Sequence, residues 1–527
     1  MTQPRENVGK QALFLRESTG LVREVGPLTA LLMNLAFIAF PTGFLLLVSS
    51  TFNFPRGDPL IAIAVSAVLF IPLTVLLNRV GVTYYRTASD YVFVTRNLNP
   101  AVGFASIFMF TIDQMFFNAV LISLGLTSGL APTLYAIGLS SNDKALITIS
   151  ESLMNNPTVI FTAGTIVFAA LIIINALSVK AGKYLASSLS ILGLLTFILT
   201  VALLRLDAPL ITAAINRAAP AMQSQALEVA GSLPSHGALL DTVYLIPYLA
   251  YVFPFINFVL SIGGELRRGK TMPIAIYGAY AISAVLLLIG VWLTISAINI
   301  NYLNGLFAIY YGLAPSVTYP STLPPPYPQA LLILAVKNPV IQWLIAIGSF
   351  TWYVSLVSVL IIQIARYLLA LSFDRVLPSA LAYVNPITHT PIIAHATDFA
   401  VTILLMYLYD FSISPLLTAT MDVSTLVTIL MYFMVITLTA TVLGVRSKSA
   451  TTAALGAYTT GLFAWIVYQE VVNPLAYLFI PTINAYIVGF FAVLFITGLV
   501  IYYVARYYRL KVDNIDINLL FREIPPE

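Results

Sequence analysis

The chain has no cysteine and only three histidines in 527 residues, and 9% of its residues are charged. Without cysteine there is no disulfide, no thiolate metal site and no thiol nucleophile, and three histidines leave little for a His-rich metal centre. Soluble domains are roughly one-quarter charged, so this fraction excludes an ordinary soluble domain. No phosphate-cradling G-x-x-x-x-G-K-[ST] loop is present, which removes direct drive by ATP. Neither a Ser-His-Asp set nor a metal cluster falls within the apolar stretches, so neither an enzyme nor a cofactor is expected.

What is there is apolar. Hydrophobic residues make up 59% of the chain and the mean hydropathy is +0.94. Runs of about 20 residues, enough to cross about 30 Å of hydrocarbon, fall at 27–50, 59–79, 100–126, 157–178, 184–204, 243–263, 273–299, 339–368, 391–410, 415–444, 452–469 and 481–505. They predict an all-α integral membrane protein of 12 transmembrane helices, spans one to twelve in chain order. An even count puts both termini on one side. Of the 25 Lys and Arg residues, 20 fall on that side and five (Arg56, Lys144, Arg205, Arg217, Lys337) on the other. The excess of positive charge predicts cytoplasmic termini and a multi-pass protein of the cell membrane. The first 26 residues are polar and show no secretory pattern, so the first run is expected to span the bilayer.

Two spans carry breaks. In span one, Phe40-Pro41-Thr42-Gly43 sits mid-run; Pro is favoured at the start of a helix, so Pro41 predicts an outer half-helix with the N–H groups of Thr42, Gly43 and Phe44 free. In span six, Pro247 and Pro254 interrupt YLIPYLAYVFPFINFVLSIGG and each removes a backbone donor. Irregular backbone at bilayer depth survives only against protein or a water-filled cavity, so both breaks are candidate solute sites. Breaks in spans one and six predict a 5+5 inverted repeat, 27–204 and 243–444, joined by an extracellular loop, 205–242. Helices 11 and 12 (445–508) follow. The ends are a cytoplasmic N-terminal segment (1–26) and a cytoplasmic tail (509–527).

Several connecting segments carry a family pattern. Gly263-Gly264-Glu265-Leu266-Arg267-Arg268-Gly269-Lys270-Thr271-Met272-Pro273 follows span six, one residue shorter than the usual form and without its central Pro. Between spans two and three lies Asp90-Tyr91, then Arg96, Pro100 and Gly103-Phe104, with Ser89 and Asp90 in place of a Gly pair. Ile174-Asn175-Ala176-Leu177-Ser178-Val179-Lys180 links spans four and five. After span eight come Arg366, Ala370, Asp374-Arg375 and Pro378, then Val384-Asn385 and Thr390-Pro391. In this order the segments resemble the amino acid-polyamine-organocation (APC) permease family.

That resemblance implies a secondary carrier of amino acids or related amines on the leucine-transporter-type fold, its site enclosed by spans one, three, six, eight and ten. In such carriers the opened backbone of span one receives a carboxylate and that of span six an ammonium. The physics is general, since helix N-termini favour anions and exposed carbonyls favour cations. Phe40-Pro41-Thr42 stands here where the family has a run of small residues. The resulting candidate substrate-binding residues are Ala39, Phe40, Pro41, Thr42, Gly43, Phe44, Asp113, Tyr251, Phe253 and Phe255. Phe40, Tyr251, Phe253 and Phe255 together would suit an apolar solute, or an amine held by cation–π contact.

Charges inside spans are functional candidates by default. Asp113 in span three and Asp422 in span ten fall at comparable depth, each a candidate for a proton or a substrate ammonium. Some proton-coupled members of the family carry a lysine in span five, but Tyr184 to Leu204 carries no charge, so that mechanism is not expected here. Ser355 and Ser358 of span eight, with carbonyls near Ala39, are the candidate sodium ligands. His395 and Asp398 read as interface residues, and Glu265 and Arg366 as loop packing or a gating ion pair. The expected function is secondary active import or exchange of amino acids, neutral and apolar, by alternating access with proton coupling. The alternatives are an amine, polyamine or other organic-cation carrier, and a non-transporting amino acid sensor. Expected partners are the small-molecule substrate, a proton or sodium ion and the lipid bilayer, with no nucleic acid.

Overall fold

The computed structural model describes residues 21, 23–472 and 484–524. Most of the expected N-terminal segment, the start of span twelve and the last three residues lie outside them. The described chain is all helical, and among these residues the only β contacts are two isolated bridges.

Local chemistry sets where many helices begin. Spans two, three, four and eight each start on Asp-Pro or Asn-Pro: Asp58, Asn99, Asn156 and Asn338 accept hydrogen bonds from the next two available N–H groups. The Asx side chain satisfies orphan donors, and the proline behind it needs none. Among the described residues eleven helices are long and apolar enough to cross a membrane. Ile166, Ile173 and Leu195 are 65%, 54% and 60% exposed, as a lipid-facing belt requires. Span six is not among the eleven. Its residues form only short pieces, Ala238–Tyr244, Ile246–Leu249 and Phe258–Ser261. Span three runs further than expected, helical from Pro100 to Ser141 through a π-helical turn at Gly125–Leu130.

On the face that carries the termini, connecting segments and span ends are tied by polar contacts. The Val25 N–H donates to the Glu265 carbonyl at 3.0 Å and Arg267 N–H donates to the Val25 carbonyl at 2.9 Å, so the approach to span one pairs with the exit from span six. Glu265, fully buried, takes Arg366 Nε at 2.8 Å and Lys183 Nζ at 2.8 Å. This ion triad joins the start of span five, the turn after span six and span eight. Burial alone would raise the Glu265 carboxyl, but the charges of Arg366 and Lys183 prevail and hold it at about 2.

Asp90 is also fully buried, in the short helix Ser89–Asn97. It accepts from the hydroxyls of Tyr367 (2.7 Å) and Tyr432 and from the Tyr91 N–H at 2.8 Å. Burial raises its carboxyl despite these bonds. The ring of Tyr432 stacks on Phe110 at 4.1 Å, so spans eight and ten meet at Asp90 and span three packs on one of its partners. Tyr432→Phe keeps that stack and deletes a charge-assisted bond, with an expected loss of about 1.5–3 kcal/mol in denaturant unfolding. A variant as stable as the parent would remove Asp90 from the fold's energetics. The tail closes over the same region: Arg96 pairs with Asp374 at 2.9 Å and lies 4.8 Å over the ring of Phe521.

Candidate functional site

The break in span one is a single-residue hinge. Pro41 has no N–H, so the Phe37 carbonyl loses its helical donor. The chain escapes by turning Ala39 into the left-handed region (φ 46°, ψ 41°), where it ends Pro27–Ile38 and caps Phe40–Ser50. The N–H groups of Thr42 and Gly43 both donate to the Ala39 carbonyl, at 2.9 and 3.1 Å. The expectation of free donors at Thr42, Gly43 and Phe44 is thereby corrected, since Ala39 takes the first two and the helix resumes through Phe44. The carbonyls of Phe37 and Ile38 are left without their usual partners. The hinge therefore presents acceptors, which suit a cation.

Beside the hinge is a cavity of about 20 Å³, lined by Ala36, Ala39, Phe40, Ser190, Trp352 and Ser355, among others. It has room for one water or one ion. Thr42 Oγ1 donates to the Trp352 carbonyl at 3.2 Å, and the Trp352 indole donates to the Gly193 carbonyl at 3.1 Å. Of the two serines expected as sodium ligands, Ser355 lines this cavity. Ser358 does not, its hydroxyl donating to the Ser355 carbonyl at 2.7 Å.

The break in span six is wide. Residues 250–254 form turns and 255–257 have no regular structure, around Pro254, whereas Pro247 sits in the first turn of Ile246–Leu249. The two breaks touch: a Cβ built on Gly43 would overlap Cγ2 of Val252. Only the bare glycine admits that approach.

The expected aromatic residues diverge. Phe40 and Phe44 pack edge-on against Phe197 of span five, with centroids at 5.1 and 5.3 Å. Phe253 meets Phe70 and Tyr280. Phe255 meets Phe37 and Phe117. Tyr251 is half-buried, whereas Phe40, Phe253 and Phe255 are buried. These four rings do not line one chamber in this conformation.

The carboxylates converge better. Asp113 and Asp422 both act electrostatically on the Tyr251 hydroxyl, and so does Glu470 of span eleven. Asp113 is fully buried beside Gln114 Nε2 at 3.4 Å. Asp422 is half-buried and accepts from the Tyr409 hydroxyl at 2.7 Å. Glu470 escaped the sequence reading because the apolar window of span eleven ends one residue before it. Lys183 escaped likewise, one residue before the window of span five. Among the described residues no three His, Asp or Glu side chains gather as a metal site.

No family model matches the chain, so the likeness to the APC family rests on the motifs quoted above. No curated protein matches it either. Among solved structures the chain is similar to a Na+-coupled sialic acid symporter in a substrate-bound, outward-open state, at 11% identity over 88% of this chain and 93% of that one, with a TM-score of 0.45.

Proposed function

We propose that the chain is a secondary active transporter that moves a small ammonium-bearing solute across the membrane by alternating access. The solute is an amino acid with an apolar side chain, and a proton or a sodium ion is the coupled cation. One observation carries this reading: two spans are broken at bilayer depth and the breaks lie against each other at Gly43 and Val252. Broken backbone in hydrocarbon is costly, and a moving solute site is the common reason to keep it. The cavity at Ala39 and Ser355 suits the coupled ion. Asp113, Asp422 and Tyr251 face the solute's ammonium, and the Glu265 triad closes the face that carries the termini.

A second reading, an amine without a carboxylate, is favoured by the hinge itself. The N–H groups of Thr42 and Gly43 are engaged by Ala39, and the carbonyls of Phe37 and Ile38 are left over, which attract cations and repel carboxylates. Counterflow in proteoliposomes separates these readings. Vesicles are loaded with one unlabelled amino acid or amine at a time, and entry of labelled leucine or labelled putrescine is followed with no imposed ion gradient. Trans-stimulation of leucine entry supports the amino acid carrier, and of putrescine entry alone the amine carrier. Stimulation of neither by any solute defeats both. Asp113→Asn is expected to abolish whichever flux is found.

A further inference from the structure

Span nine (Ile392–Asp410) carries His395, Asp398 and Thr402 at helical spacing, so one face presents all three. They are 1%, 0% and 0% exposed, packed where spans three, eight and nine meet. Facing them, span three presents Asn118, with Gln114 one turn before it, both fully buried, and span eight packs on both helices. Asn118 lies within reach of Asp398, and the charge of Arg366 on span eight reaches His395.

Few of these groups are satisfied. Thr402 Oγ1 donates to Asp398 Oδ1 at 3.0 Å, and Gln114 Nε2 makes its long contact to Asp113. Asp398 Oδ2, both ring nitrogens of His395, both amide atoms of Asn118, and Gln114 Oε1 have no hydrogen-bond partner among the described residues. Native interiors pair nine-tenths or more of their buried polar groups. Six unpaired atoms along one seam therefore mark a place built for polar occupants, water or an ion. The carboxylate decides between them. Buried charge is expensive unless a counter-charge accompanies it, and no Lys or Arg among the described residues forms an ion pair with Asp398. Arg366 is engaged with Glu265 at 2.8 Å.

We propose that the seam between spans three, eight and nine binds a sodium ion with its water, Asp398 supplying the counter-charge and Asn118 an amide oxygen. One carboxylate balances one positive charge, which favours a monovalent ion over calcium or magnesium. An all-oxygen set of carboxylate, amides and hydroxyl suits a hard cation. The Asn118 amide needs only a half-turn to present oxygen in place of nitrogen. The charges nearest the seam are Arg366 and Asp113, with Glu265 and Lys183 behind Arg366. The nearest cation, Arg366, stands at the His395 end, so the ion sits at the Asp398 end. This site is separate from the cavity at Ala39 and Ser355, and it does not depend on what solute the protein carries.

The test is sodium-dependent thermal stabilisation of the purified full-length protein in detergent, with sodium exchanged for choline or potassium at fixed ionic strength and repeated across pH. A sodium-specific rise in Tm is expected, and Asp398→Asn should raise the sodium concentration for half the effect by at least about tenfold, one good charge contact. Ser355→Ala should leave that part of the rise in place. If Asp398→Asn does not fold, Asn118→Leu removes a ligand without stranding a charge and should shift the same curve. The proposal is overturned if sodium and choline stabilise alike, if the sodium curve is unchanged in both seam variants, or if stability follows pH alone with no preference for sodium. Counterflow would be untouched by that result, so the carrier reading stands or falls separately.

Discussion

Glu265→Gln is expected to destabilise the protein by about 3–5 kcal/mol, the usual cost of breaking a buried ion pair by removing one partner. The effect is large because one carboxylate serves two cations: Arg366 and Lys183 are themselves 3% and 8% exposed and both lie at 2.8 Å. Glutamine keeps the shape but strands two charges. The pH dependence follows from the sign of the shift. Glu265 is held at about 2, below its ordinary 4.5, so its contribution is present above the unfolded value and is lost as pH falls towards 2. Between pH 5 and 8 the gap between parent and variant should therefore be flat. Unfolding in detergent at several pH values checks this, and a variant within about 1 kcal/mol of the parent would show that water screens the triad. Replacing all three residues with apolar side chains of similar size should recover much of the loss, because the desolvation cost disappears with the charges. Such a variant, stable but without the ionic closure, is the one in which to ask whether the face that carries the termini still seals.

The parts of this architecture that follow from single-residue chemistry were legible in the sequence. Apolar runs of bilayer length marked the spans other than six, and the Asx-Pro pairs on which spans two, three, four and eight begin are visible in the sequence though that reading did not use them. Pro41 and Pro254 marked both breaks because a missing N–H is a property of the residue alone. How the chain recovers from a break was not legible. That Ala39 would take a left-handed turn and draw in the N–H groups of Thr42 and Gly43 depends on packing around the hinge. The directions of Phe40, Phe253 and Phe255 depend in the same way on Phe197, Phe70 and Phe37, partners far away in sequence. The same holds for charge pairs. Glu265 and Arg366 were a plausible pair by position on one face, whereas Lys183 and Glu470 were missed because each stands one residue outside an apolar window. Asp90 read as a lost glycine, yet it accepts hydrogen bonds from two spans.

Gly43→Ala is expected to reduce transport by about tenfold or more while costing about 1–3 kcal/mol of stability, the range for overpacking a tight interior. The new methyl would overlap Cγ2 of Val252, and a β-branched valine has little freedom to swing away. Something in the contact between the two breaks must move. Span one has few ways to give, since Thr42 is tied to the Trp352 carbonyl and Ala39 accepts from two amides. The displacement therefore falls on residues 250–257, the unwound stretch of span six that carries Tyr251. If alternating access requires the two half-helix pairs to move as one body, separating them damages flux more than folding. Val252→Ala in the same chain removes the clashing methyl, and Gly43→Ala with Val252→Ala should recover most of the counterflow lost by the single substitution. Measured as a double-mutant cycle, the coupling should exceed about 1 kcal/mol. Additive losses in flux, with no recovery in the double variant, would mean that the two breaks act independently and that their contact is packing alone.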